Sequence, residues 1–277
     1  MLIEIPNRMA YVNNYAIRYL DYGVINPIKS GATEVLLLLH GIGASAERWL
    51  RVVPLLNRNF RIIIPDIVGF GYSDKPTVEY TMNYFVEFLR DFLKSIRIQR
   101  IHIIGSSFGG LLAAEFAMEF ANIVKKMILV SPAGTMQTST KTLDEYILAA
   151  LYPTMENARR AFSDMAYDPK VVTDDIVKDF VNRMKLPNSK YAFMSTLLGI
   201  RNTQDLENRL TKIILPTLLI WGREDKMIPS VHAEDYLRIR NSKLIMIPNS
   251  GHTPYTETPS VFAKIALDFL MRVNKIK

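Results

Sequence analysis

The run Ile101-His102-Ile103-Ile104-Gly105-Ser106-Ser107-Phe108-Gly109-Gly110-Leu111-Leu112-Ala113-Ala114-Glu115 leaves this chain few folds to choose from. It opens on β-branched apolar residues, which suit a buried strand. It closes on alanine and leucine, which suit a helix. Between them lies Gly-x-Ser-x-Gly centred on Ser107. Small residues on both sides allow a sharp strand-to-helix turn that holds the serine strained and lifts its hydroxyl above the sheet edge. The helix that follows aims its amide-rich N-terminus at the same spot, where developing negative charge is favoured. Such a turn needs a parallel strand with a helix behind it.

The neighbouring segments supply that setting. Glu34 to Leu39, Arg61 to Pro65, Ile101 to Ile104 and Lys126 to Val130 read as short apolar strands. They alternate with helices expected at Ala46 to Leu56 and Tyr80 to Ile96, and at the run after Ser107. Fully apolar strands alternating with amphipathic helices imply parallel pairing covered on both faces. The predicted fold is therefore α/β, with a mostly parallel central sheet flanked by helices. Upstream, Leu2 to Tyr22 reads as two or three short strands with a hairpin turn at Asn13-Asn14, and Asn26 to Ala32 as a loop. From Thr135 to Leu210 the rhythm changes to successive helices, near Lys141 to Leu151, Met155 to Met165, Thr173 to Met184 and Lys190 to Leu198. The α/β rhythm then resumes with a strand at Ile214 to Trp221, a helix at Val231 to Arg238, a strand at Lys243 to Pro248 and a closing helix at Pro259 to Val273. The expected organisation is a core of residues 1–134 and 211–277 and a helical cap of residues 135–210.

Composition closes off several functions. The 277 residues suffice for a large core, and 49% hydrophobic with 22% charged is ordinary for a globular protein. The net charge of +7 is spread along the chain, with Lys275 and Lys277 forming a basic tail and no basic run interleaved with aromatics. That favours a solvated surface and gives no sign of a nucleic-acid partner. The absence of cysteine excludes disulfides, thiolate metal sites and a cysteine nucleophile, and it fits a cytoplasmic setting. Residues 1–6 lack the basic and apolar regions of a secretory signal, and no apolar run is long enough to insert in a membrane. No metal-ligand spacing occurs, and no metal or other cofactor is expected.

A serine hydroxyl needs a base. Of the four histidines, His102 sits inside a strand and His232 near a helix start. His40 ends a strand and shapes the loop there. His252, in Asn249-Ser250-Gly251-His252-Thr253-Pro254, follows the last strand at the carboxyl edge and is the expected base. The base needs a carboxylate to fix its tautomer. Glu224 and Asp225, in Trp221-Gly222-Arg223-Glu224-Asp225-Lys226, are both candidates. Oxyanion donors are expected from the backbone N–H of Phe108 and from the turn His40-Gly41-Ile42-Gly43, through the N–H of Ile42. Along the chain the order is Ser, Asp, His.

These pieces, with Asp66-Ile67-Val68-Gly69-Phe70-Gly71-Tyr72-Ser73, resemble the α/β-hydrolase family over essentially the whole chain. The resemblance implies that the acid is Asp225 and that the helical insertion roofs the site. The cap stretch from Tyr167 to Ile176 is also similar to that of hydrolases that split carbon–carbon bonds in meta-ring-fission products. That subfamily usually has Asn before the nucleophile, Trp after the histidine and a cap arginine for the substrate carboxylate. Here those places hold Ser106, Thr253 and Phe180, with Arg183 nearby. Ser107 also departs from the Asp nucleophile of epoxide hydrolases and haloalkane dehalogenases.

The leading expectation is a carboxylesterase cleaving small to medium acyl esters through an acyl-enzyme on Ser107. Carbon–carbon hydrolysis of a dienoate is the alternative enzyme reading, and a ligand receptor on a hydrolase fold is the alternative of another class. His40, Phe180, Met184 and Thr253 are expected along the substrate pocket. The partner is then a small-molecule ester; the oligomeric state is open, a homodimer included.

Overall fold

The computed structural model describes residues 7–24, 34–203 and 205–272. Expectations for Leu2 to Pro6, the loop at Asn26 to Ala32, the end of the last helix at Val273 and the basic tail lie outside these residues. Eight strands form one sheet: β1 (Asn7–Val12), β2 (Tyr15–Tyr22), β3 (Val35–Leu39), β4 (Arg61–Pro65), β5 (Ile101–Ser106), β6 (Val124–Val130), β7 (Thr217–Gly222) and β8 (Ser242–Ile247). Their spatial order is β1-β2-β4-β3-β5-β6-β7-β8. β1 and β2 are antiparallel to each other, and β2 is antiparallel to β4, while β4 to β8 run parallel. The hairpin turns at Asn13-Asn14, with φ of +49° and +67°. Two consecutive positive φ values match the right-handed twist of a hairpin, and Asn tolerates them.

Apolar strands divide their side chains between two layers because successive residues point to opposite faces. Leu37, Leu39, Ile103 and Leu129 pack on one face with Phe85, Phe92, Leu111 and Phe116, which come from helices Met82–Ser95 and Phe108–Glu119. Leu36, Leu38, Ile104 and Val130 pack on the other with Trp49, Phe262 and Ala266, the last two from helix Pro259–Leu270. Helix Phe108–Glu119 is buried along nearly its whole length, which explains why its sequence is apolar all round.

Between β6 and β7 the described residues include the helices Lys141–Leu151, Met155–Met165, Asp174–Met184 and Ser189–Arg201, followed by the single turn Leu206–Arg209. The first three begin at Thr140, Thr154 and Thr173, each accepting a backbone N–H two residues into its helix. Their facing aromatics, Tyr146, Phe162, Phe180 and Phe193, meet at centroid distances of 5.1–6.0 Å.

Three expected elements are shorter than the periodicity suggests. The helix at Ala46 to Leu56 is a 3-10 turn, Ala46–Trp49, and a single α-turn, Val53–Leu56. Pro54 has no N–H to continue a helix through that point. Val231 to Arg238 likewise splits into Ser230–His232 and Ala233–Tyr236. β7 starts at Thr217 because Pro216 cannot donate to the ladder.

Candidate active site

Ser107 has φ +54° and ψ −120°, a strained conformation for a residue with a side chain, costing about 1–3 kcal/mol. Its surroundings leave no alternative. The Ser107 N–H donates to Val130 O, while Ser107 O accepts from Gly110, Leu111 and Ala133. The flanking glycines are required by close backbone approach: a Cβ at Gly105 would lie 2.1 Å from Gly109 O, and one at Gly109 would lie 2.5 Å from Leu39 O. The motif therefore packs the helix after Ser107 directly on the ends of β3 and β5.

The parallel strands put the other candidates at the same edge. His252 Nδ1 lies 2.8 Å from Asp225 Oδ2, with both side chains almost fully buried. Asp225 Oδ1 accepts the N–H groups of Met227 and Ile228, both at 2.9 Å, so the carboxylate is fixed before it meets the imidazole. With Nδ1–H donated to Asp225, Nε2 is the basic nitrogen. It is buried and has no hydrogen-bond partner among the described residues. Glu224, the rival carboxylate, instead accepts the Ser250 N–H at 3.0 Å. The two acids are thus separated by function: Glu224 ties the loop, Asp225 holds the ring. A third acid, Glu257, accepts the N–H groups of Gly251, Thr253 and Tyr167, bracing the His252 loop. Its sequence position gave no sign of this, because its partners converge only in the fold.

The turn after β3 is held from both sides. His40 Nδ1–H donates to Gly41 O at 2.8 Å, and the Ile67 N–H donates to His40 Nε2 at 3.0 Å. A peptide unit is planar, so fixing Gly41 O fixes the opposite-facing Ile42 N–H. Neither the Ile42 nor the Phe108 N–H has a hydrogen-bond partner among the described residues. On the other side, the Tyr146 hydroxyl donates to Ile42 O at 2.7 Å, and Arg183 Nη1 donates to Gly43 O at 2.8 Å. Burial pushes the Tyr146 phenol up to about 12, so it stays a neutral donor at ordinary pH. Burial also lowers His40 below the usual imidazole range, in keeping with one nitrogen donating and the other accepting.

Ser107, His252, Ile42 and Phe108 line one cavity of 1270 Å³, roofed by the helical segment and joined there by Phe180 and Thr253. Two expected pocket residues are corrected. His40 is fully buried and committed to Gly41 and Ile67, so it supports the turn from behind and does not face the cavity. Met184 is the last residue of its helix, one turn beyond Phe180, and lines a small separate pocket with Lys185 and Tyr191, not the cavity. Phe162, Met165, Met194 and Leu197 supply apolar wall, and Arg48, Tyr255 and Arg183 supply polar wall. Sequence reading missed Arg48, Tyr146 and Tyr255. Only for Tyr255, close after His252, was a local signal present. Arg183 Nε donates to Asp179 at 2.9 Å. Among the described residues no cluster suits a metal ion, and no helix is long and apolar enough to cross a membrane.

A sequence profile described as alpha/beta hydrolase fold matches residues 34–259. A 2-hydroxy-6-oxononadienedioate/2-hydroxy-6-oxononatrienedioate hydrolase of Cupriavidus pinatubonensis is 30% identical over 260 residues, 88% of this chain and 89% of that protein. A 2-hydroxy-6-oxo-6-(2'-aminophenyl)hexa-2,4-dienoic acid hydrolase of Metapseudomonas resinovorans is 28% identical, over 93% of this chain and 92% of its own. Among solved structures, a meta-cleavage product hydrolase from Pseudomonas fluorescens IP01 superposes with a TM-score of 0.83 at 26% identity, covering 95% of this chain and 97% of that one.

Proposed function

The chain belongs to the alpha/beta hydrolase fold family, and from that premise we propose that it is a serine hydrolase that splits a carbon–carbon bond in dienoate acids of the meta-cleavage type. The observation that carries the hydrolase chemistry is the His252 ring, bound to Asp225 through Nδ1 and presenting an unpartnered Nε2 in the cavity that Ser107 shares. The named activities of the curated relatives carry the substrate class, and they move it from simple esters, which the sequence alone put first, to dienoates.

In this reading His252 Nε2 takes the Ser107 proton as Oγ adds to the substrate ketone. The oxyanion is met by the N–H groups of Ile42 and Phe108. Collapse of the adduct breaks the bond to the neighbouring carbon. For that bond to break the dienoate reacts as its 2-oxo tautomer, the enol proton having moved to the carbon beside the ketone. The departing electron pair then delocalises through the remaining double bond onto the 2-oxo oxygen, and His252 returns the proton to that fragment as the dienol. Water, activated by His252, then releases the acyl group as a second acid. Arg183 has five N–H groups; with one given to Asp179 and one to Gly43 O, three remain for the dienoate carboxylate. Residues 135–210 act as the cap that excludes bulk water.

Ester hydrolysis is the second reading, favoured by Ser106 and Thr253 standing where the carbon–carbon hydrolases usually have Asn and Trp. It uses the same acyl-enzyme. Turnover of a 2-hydroxy-6-oxo-dienoate, followed by loss of its conjugated absorbance, separates the two beside a p-nitrophenyl ester series. Dienoate kcat/KM at least tenfold above that of the best ester supports the proposal; ester turnover with inert dienoates overturns it.

A further inference from the structure

The loop that carries His252 has no strand pairing to hold it, because β8 ends at Ile247. Each backbone N–H from Ser250 to Thr253 is nevertheless taken. Ser250 donates to Glu224 Oε2 at 3.0 Å and Gly251 to Glu257 Oε2 at 2.9 Å. His252 donates to Met165 O at 3.1 Å, and Thr253 to Glu257 Oε1 at 3.1 Å. The N–H groups on the two sides of His252 are therefore held by the two oxygens of one carboxylate. Glu257 reaches them from the end of the short turn Pro254–Glu257.

Two contacts of this network come from the helical segment over the site. Met165 ends the helix Met155–Met165, and its side chain lines the cavity. Two residues on, the Tyr167 N–H donates to the same Glu257 Oε2 at 2.8 Å. The two backbones are in direct contact: a Cβ at Gly251 would lie 2.3 Å from Met165 O and 3.0 Å from the Tyr167 nitrogen. One carboxylate oxygen thus joins the segment above the site to the loop of the base. Hydrogen bonds to an ionised acceptor are roughly twice as strong as neutral ones. Asp225 fixes the rotation of the His252 ring through Nδ1, but the height of Nε2 over Ser107 is set by the main chain that Glu257 grips. A misplacement of about 1 Å costs roughly 10²-fold in rate.

We propose that Glu257 is a positioning residue for the base. It fixes the main chain on both sides of His252, and through the oxygen it shares with the Tyr167 N–H it makes that position depend on the seating of the cap. Lifting the cap withdraws both Met165 O and the Tyr167 N–H from the network, so His252 is placed for proton transfer only while the cap is down. Glu257 lies outside the cavity wall and acts on the reaction only through His252. This role rests on the serine-hydrolase reading above and is the same whether an ester or a carbon–carbon bond is cut.

The test uses the full chain, with kcat and KM on the best substrate and the rate at which a fluorophosphonate labels Ser107. Glu257→Gln keeps the size and one of the two acceptor oxygens, and Glu257→Ala keeps neither. We expect kcat and labelling to fall about 3- to 10-fold in the first and about 30- to 100-fold in the second, with KM within about twofold, as displacement of a reacting group predicts. Tyr167 is exposed and lies outside the cavity wall. Tyr167→Ala and Tyr167→Pro both lose its side chain, and only the second also loses the N–H. Ala166 is already extended, with φ −89° and ψ 152°, as the residue before a proline must be. The proline variant is expected to be about tenfold slower in kcat than the alanine variant, a part of the same displacement effect. Circular dichroism and melting on each preparation separate this from lost stability. Glu257 variants that melt earlier but keep native kcat and labelling at a temperature where they are folded overturn the proposal. Slow Glu257 variants with equal Tyr167 variants overturn its coupling to the cap. An unmodified protein that takes no label and turns over no substrate fails the hydrolase reading itself, and the proposal falls with it.

Discussion

Replacing Tyr146 by Phe removes one hydroxyl and nothing else from the interface between the helical segment and the turn after β3. In the native chain that hydroxyl donates to Ile42 O at 2.7 Å from a side chain that is 6% exposed. The ring still packs on Phe162, Phe180 and Phe193. The lost bond leaves a buried carbonyl without its donor, a cost of about 1–3 kcal/mol. For a chain of this size that lowers Tm by roughly 2–4 °C for each kcal/mol. The kinetic effect follows from what the carbonyl is attached to. Ile42 O and the Ile42 N–H flank one Cα, and the N–H is the expected oxyanion donor. Full loss of one such donor costs about 10²–10³ in kcat. Here Gly43 O remains tied to Arg183 and Gly41 O to His40, so the donor is loosened and not lost. We expect kcat to fall roughly 5- to 30-fold with KM nearly constant, a fraction of the full donor effect. Steady-state kinetics on one good substrate, with thermal melting on the same preparation, reads both numbers. A variant that melts earlier yet keeps native kcat refutes the idea that this hydroxyl positions the donor.

Other consequences follow from the same geometry. Asp225→Asn keeps the shape of the site but no longer selects the Nδ1–H tautomer of His252, and kcat should drop by roughly 10³- to 10⁴-fold, with the fold intact by circular dichroism. Gly109→Ala drives a methyl to 2.5 Å from Leu39 O and 2.6 Å from His40 O; backbone cannot yield cheaply, so a loss of about 3 kcal/mol or more is expected in urea unfolding. His40 and His102 are both held below the ordinary imidazole value of 6.5 by burial, His102 at about 4. The unfolded chain binds those protons first, so stability is complete above pH 6.5 and falls as pH drops below it, for His102 by about 1 kcal/mol per pH unit down to about 4. Urea midpoints across that range check the sign, and stability that rises on acidification contradicts it.

The sequence exposed the sheet because its central strands are apolar on both faces, a pattern that only double-sided burial supports. It exposed the Ser107 turn because the close approach of helix and strand backbones there demands glycine, and Gly105 and Gly109 stand at those contacts. The helices after Thr140, Thr154 and Thr173 were legible as successive helical segments, a local property of the chain. What stayed hidden depends on distant segments meeting. Choosing Asp225 over Glu224 took the family resemblance, since only the fold shows which carboxylate meets His252 and which meets Ser250. His40 looked like a pocket residue because it ends a strand at the correct edge, but the Ile67 N–H captures it from the neighbouring loop. Met184 shares a helix face with Phe180, but it lies one turn further on, at the helix end, and lines a separate pocket. Arg48 carried no motif at all, and only the fold brings it to the cavity wall.

The central claim is that Ser107, activated by His252, is the nucleophile. Peptide mapping by mass spectrometry after brief exposure to a fluorophosphonate tests it most directly. The account predicts a single adduct on the peptide bearing Ser107, formed far more slowly in His252→Ala. An adduct on another residue, or none on a protein that turns over substrate, contradicts it.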